Sequence, residues 1–268
     1  MSRCLPGAGP WGPTWHRREV GHDRNKLYRT KPDMTEDVAL TDWLPPLLLS
    51  MRVAALATGL VACAGTFAAW AMRRFSFPGK TVLDAVLTMP LVVPPTVTGF
   101  VLLLLLGRNG PIGKLLQAGF GVRVLFTWWA AVIASAVVAF PLMYGTARAG
   151  LEAVDESLEK AGRTLGAPEP RIFFTITLPL AWPSFMAGIL LSFMRALGEF
   201  GATLMVAGCI PGKTQTMPTA IYVAAESGDM ASAGLLVGIM LAFGFAAMWL
   251  SRTWSDRQLG RFRRVGRV

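Results

Sequence analysis

Long apolar stretches alternate with short polar ones along this chain. Five run from about Leu44 to Met72, Leu83 to Leu106, Val124 to Ala147, Ile172 to Met194 and Met230 to Ser251. A helix of about 20 apolar residues crosses the hydrocarbon core of a bilayer, so each stretch is long enough to span. Arg52 is the one charge in the first stretch, Asp84 opens the second, and the last three carry none. Pro90, Pro94 and Pro95 fall inside the second and predict a kink or break there. Phe200 to Ile210 is also apolar, but it is too short to span and reads as a re-entrant or half-buried segment. The pattern predicts an all-α polytopic membrane protein with five core transmembrane helices.

The main polar interruption is Leu151 to Pro179, LEAVDESLEKAGRTLGAPEPRIFFTITLP. Leu151, Val154, Leu158, Ala161 and Leu165 recur at helical spacing and predict one face that can bury. Glu156 with Lys160, and Glu159 with Arg163, form i,i+4 pairs on the other face, with the acid first. Asp155 suits an N-cap and Gly166 a C′ glycine. Pro168 stops the helix, and Pro170 suits the first turn of another. The expectation is a short amphipathic helix, a sharp turn, a second short helix and a return to the membrane. An ordinary loop between spans would read much the same.

Composition supports the membrane class: 53% of residues are hydrophobic, and mean hydropathy is +0.47. Cys4, Cys63 and Cys209 make no metal-ligand spacing, and Cys63 reads as a small core residue. The histidines, His16 and His22, precede the spans, which argues against a haem-bearing membrane anchor. No Walker A loop, G-x-S-x-G or H-E-x-x-H occurs, so no catalytic site, metal or cofactor is expected. An ion-coupled secondary transporter would carry internal repeats and ionisable residues in several spans, and neither is evident.

The formal charge of +10 matters through its placement. With the C-terminus inside, the inner segments hold thirteen Lys/Arg, and the outer ones hold only Arg108, Lys114, Arg123 and Lys213. This puts Leu151 to Pro179 and the basic tail 258–268 in the cytoplasm, and no nucleic-acid role is expected. Residues 1–33 are rich in Gly, Pro, Arg and Trp, lack periodicity and hold seven Lys/Arg. They read as a disordered basic tail, which five spans would leave outside, against the charge rule. A natural start at Met34 removes the conflict and makes the tail a gene-model extension. Its rival is a genuine tail that touches lipid headgroups.

Arg195 and Glu199 lie four residues apart in an apolar setting, with Gly198 and Gly201 beside them. Ionisable groups at membrane depth face a partner or an aqueous path. The pair could line a path, or could bond mutually and fix a helix end. A path that must release its anion favours the second reading. The glycines allow tight turns or close helix approach.

Two motifs carry a family resemblance. Gly166 is followed by nine residues and then Ile176-Thr177-Leu178-Pro179, which resembles the E-A-A…G…I-x-L-P cytoplasmic motif of bacterial ABC importer permeases. The E-A-A positions fall on Lys160, Ala161 and Gly162, with Glu159 one residue upstream. The resemblance implies a five-helix, MetI-like permease over residues 34–257 whose coupling helix docks on an ATPase subunit. Glu159, Lys160, Ala161, Gly162, Leu165, Gly166, Ile176, Leu178 and Pro179 are then the coupling residues. Arg195-Ala196-Leu197-Gly198-Glu199-Phe200-Gly201-Ala202, with Ile210-Pro211-Gly212 through Tyr222, resembles permeases for tetrahedral oxyanions, most of all molybdate. That likeness implies a homodimer in the bacterial inner membrane, a cytoplasmic ATPase dimer and a periplasmic molybdate-binding protein. Tungstate and sulfate or thiosulfate are the neighbouring substrates.

Overall fold

The computed structural model describes residues 43–265. The tail read as disordered and the expected start at Met34 lie outside the described residues. Every regular element among the described residues is helical.

α1 (Leu44–Arg74) begins on Pro45-Pro46, where the missing N–H groups cost nothing, and ends on Arg73-Arg74. α5 (Trp128–Glu152) packs along it. Their shared face is built from small side chains: Ala54, Ala57, Thr58 and Ala69 on α1, and Ala130, Ala134, Ser135 and Ala147 on α5. Lipid offers apolar contact as good as another helix does, so helices associate here by close approach of small residues. The fourth span is one continuous rod. α7 (Glu169–Ile172), a π segment (Phe173–Thr177) and α8 (Leu178–Leu197) follow without a break. The expected second short helix is therefore the foot of this span, not a separate element. Pro179 has no N–H to give to Thr175, and Leu178 reaches back five residues to the Phe173 carbonyl.

The second stretch is broken, as its prolines predict. α2 (Lys80–Thr88) and a 3₁₀ turn (Met89–Leu91) meet α3 (Pro95–Leu106) at a bend of 112°. α4 (Pro111–Phe120) follows in a loop where no helix was expected. The third span starts at Trp128, later than the apolar run, because Phe126 takes a positive φ of 59° and its N–H bonds the Val206 carbonyl at 2.9 Å. α9 (Gly201–Ala207) is the short segment after the fourth span, buried against α3 and α5. α10 (Met217–Glu226) is anchored on α1, with the Met217 N–H donating to Ser50 Oγ at 2.8 Å. α11 (Met230–Val265) runs past the expected boundary at Ser251 and into the segment read as a basic tail.

Among the described residues, four helices are long and apolar enough to span, or five if the bent pair is one span. The chain is a multi-pass membrane protein. Cys63 is exposed on α1 rather than in the core.

Candidate functional site

The polar stretch builds one short helix, α6 (Glu156–Thr164), at the foot of the bundle. Asp155 caps it, accepting the Ser157 N–H at 2.9 Å. That backbone bond, and then the Ser157 hydroxyl, hold the Asp155 carboxyl below the usual carboxylate range. At the other end Gly166 takes φ 76°, which a Cβ would strain. The Ala167 N–H returns to the Gly162 carbonyl at 3.1 Å and the Gly166 N–H to the Arg163 carbonyl at 2.9 Å, closing a Schellman turn.

The buried face of α6 is not the predicted stripe. Leu151 ends α5 and Val154 lies in the turn after it, both buried in the bundle. The turn and the Asp155 cap reset the helical phase, so the later members of the stripe point outward. Leu158 is 46% exposed and Leu165 87%, and Ala161 is exposed too. Glu159 and Gly162 face inward instead. A Cβ on Gly162 would come within 3.2 Å of both Ile172 Cγ1 and Ile176 Cδ1, so a larger residue would make these isoleucine side chains of α7 and the π segment give by a few tenths of an ångström. Glu159, 8% exposed, is held by three elements. Its Oε1 accepts Arg73 Nη1 of α1 at 2.9 Å and Thr177 Oγ1 at 2.7 Å. Arg163 Nη2 is 3.7 Å from Glu159 Oε2 but bonds Glu169 more closely, with its Nε at 2.6 Å from Oε1. The predicted surface pair Glu159–Arg163 is thus the weaker of two contacts made by a half-exposed arginine, and of the two residues only Glu159 is buried. The other pair, Glu156–Lys160, stands in solvent at 3.1 Å. Of the remaining motif residues, Ile176 and Leu178 are half-buried and Pro179 is exposed on the span above.

Residues 62–261 match the family described as the binding-protein-dependent transport system inner membrane component. The chain belongs to this family. Among relatives of this permease family, the molybdenum transport system permease protein ModB of Escherichia coli (strain K12) is 45% identical over 216 residues, covering 79% of this chain and 94% of that protein. The sulfate transport system permease protein CysT of the same organism is 35% identical over 210 residues, covering 78% and 74%. A structure of the MetNI methionine ABC transporter in inward-facing conformations shares the fold, with TM-score 0.61 at 12% identity, covering 82% and 95%.

The permease holds a second polar constellation at the far end of α8. Arg195 Nη1 lies 2.7 Å from Glu199 Oε2, and the Glu199 side chain is 1% exposed. Glu199 Oε1 also accepts the Ala202 N–H at 2.8 Å, tying the start of α9 to the end of α8. Gly201 sits against α3, where a Cβ would lie 3.1 Å from Thr96 Cγ2 and 3.2 Å from its backbone nitrogen. Gly198 ends α8 in an exposed position, and a Cβ there would meet nothing closer than 3.7 Å, so close packing does not demand a glycine.

Two partners of Glu159 and one whole network escaped the reading of the sequence. Arg73 and Thr177 are too far from Glu159 along the chain for spacing to reveal them. A third network joins the broken span to α5: Asp84 Oδ1 accepts Tyr144 Oη at 2.5 Å and Arg148 Nη1 at 2.6 Å, while Arg148 Nε bonds Glu152 at 2.8 Å. Asp84 was the one acid in the second apolar stretch, and that isolation was the available signal.

Proposed function

We propose that this chain is the membrane-spanning subunit of an ATP-driven molybdate importer. The observation that carries the reading is the 45% identity to the molybdenum permease ModB along nearly its whole length, against 35% to the sulfate permease CysT. In this reading two copies form the transport path, and a periplasmic binding protein delivers the anion. A separate cytoplasmic ATPase dimer hydrolyses the nucleotide. α6 and the C-terminus face the cytoplasm, consistent with the excess of Lys/Arg in those segments. Leu158, Ala161 and Leu165 project from α6 with no covering element among the described residues, a surface suited to a groove on the ATPase. Of the remaining coupling residues, Glu159, Gly162, Ile176 and Leu178 lie beneath them, while Lys160, Gly166 and Pro179 are exposed. Closure of the ATPase dimer would move α6, and rigid-body motion of the spans would alternate access. The Arg195–Glu199 pair fixes the α8–α9 junction beside the path, and its paired arginine keeps the path from becoming a deep anion trap.

The test is uptake into vesicles containing the permease, its ATPase and its binding protein, with molybdate and sulfate in competition. Molybdate and tungstate should enter in an ATP-dependent manner, and excess molybdate should suppress any sulfate uptake. These anions share charge and shape, so most discrimination belongs to the binding protein, where buried hydrogen bonds are strict about geometry. Sulfate uptake that molybdate cannot suppress would overturn the assignment.

A further inference from the structure

Glu159 sits on the helix proposed to meet the ATPase, yet this chain already occupies the carboxylate. Oε1 takes two donors, Arg73 Nη1 from the end of α1 and Thr177 Oγ1 from the top of the π segment. The two partners are 86 and 18 residues away, so one side chain joins three elements that are remote in sequence. Thr177 is 2% exposed and the Arg73 side chain 23%, so the junction is largely withdrawn from solvent. One turn further along α6, Gly162 rests against Ile172 and Ile176 of the fourth span. The helix is therefore held by an apolar seat on α7 and the π segment, and by a direct polar tie to Arg73 of α1.

From this geometry we propose that the Arg73–Glu159–Thr177 junction is a strut. It makes α6 move as one body with the feet of α1 and the fourth span. Glu159 is then a positioning residue that passes displacement of α6 into α1 through Arg73, and is not a docking contact for the ATPase. The inference rests on the reading of α6 as the ATPase-facing helix. Rigid elements joined by salt bridges and hydrogen bonds are one means by which coupling passes between distant sites. Among the described residues the other polar route from α6 to α1 runs through Arg163, Glu169 and Arg74, and its last step is a 3.9 Å approach between half-exposed side chains, so an unpaired Glu159 would let α6 tilt on its apolar seat while α1 stays behind. The partly buried charged pair resists that tilt more than a solvent-exposed pair would.

The variants are Glu159→Gln, Arg73→Gln, Thr177→Val and the swap Arg73→Glu with Glu159→Arg. The first readout is the distance between spin labels on α6 (at Lys160) and at the foot of α1 (at Phe75) in the purified permease. It should be narrowly distributed in the unsubstituted protein, broad in Glu159→Gln and Arg73→Gln, and narrow again in the swap. The second is ATP hydrolysed per molybdate transported in vesicles with the ATPase and binding protein. The ratio should rise by about tenfold in the single charge variants and return in the swap, with ATPase co-purification unchanged throughout. Thr177→Val removes one donor without removing a charge and should give the same change in smaller measure. A narrow label distance in Glu159→Gln, or a normal ratio in both charge variants, would overturn the strut. Loss of ATPase co-purification in Glu159→Gln that the swap fails to restore would overturn it as well, making Glu159 a docking contact. Label distances that behave as expected, beside an unsubstituted complex that shows no ATP-dependent uptake, would overturn the transporter reading instead.

Discussion

Single residues decide the ends of α6 and the side it shows. Asp155 and Gly166 were legible because capping is local: an acceptor before the first turn and a glycine at φ 76° after the last. Glu159 was legible as a coupling candidate, but not as an inward-facing one. As one of a row of charges it looked solvated, and only the arrival of Arg73 and Thr177 from elsewhere turns it inward. Leu165 shows the opposite case, a leucine expected in a buried stripe that stands 87% exposed. In the proposed complex its burial comes from the ATPase. Leu165→Asp would bury a carboxylate without a partner in that groove, at a cost of about 3 kcal/mol or roughly a hundredfold in affinity. The expected outcome is a permease that inserts and folds but no longer co-purifies with the ATPase. Gly166→Val should weaken the same contact by distorting the turn beneath Leu165, because a β-branched residue resists positive φ. Normal recovery of ATPase with Leu165→Asp would contradict the docking role.

At the scale of elements, length and apolarity located the spans because each must satisfy its own backbone in lipid. Phase was harder to read. The stripe from Leu151 to Leu165 has helical spacing throughout, but the chain leaves α5 at Glu152, turns, and restarts at Glu156 with a different face inward. Spacing alone cannot see a turn that preserves the count. The foot of the fourth span hides in the same way, since the π segment adds a residue to one turn. Contacts between elements were the least visible. Asp84 holds α2 to α5 through Tyr144 and Arg148, with Asp84 and Arg148 side chains about one-third exposed, at 33% and 32%. Charged hydrogen bonds at that exposure are partly screened, so Asp84→Asn should destabilise the protein by about 1 kcal/mol. A lowered melting temperature in detergent, with the helical signal unchanged before the transition, is the expected result. An unchanged melting temperature would show that α2 is held by packing alone.

For the molecule as a whole, the bend in the second span has a consequence for what surrounds it. In an unbroken helix the carbonyls of Pro90 and Leu91 would accept from residues 94 and 95, and both of those are prolines without an N–H. The bend therefore leaves a cluster of oxygen acceptors with no helical donor, at a place where Leu91 is 61% and Val92 85% exposed on the single chain. Hydrocarbon cannot hydrate a carbonyl, and irregular backbone survives at membrane depth only against protein or water. With the bend at membrane depth, the side of the bundle that carries it is a side that cannot face lipid tails, which gives the monomer a wet or partnered flank before any second copy is considered. On a cysteine-free background, Val92→Cys should react with a water-soluble thiol reagent or cross-link to a neighbouring copy, while a cysteine at Leu241, exposed on the apolar part of α11, should do neither. Equal protection at both positions would mean that the bend is dissolved in lipid, and that the carbonyls of Pro90 and Leu91 are hydrated by nothing.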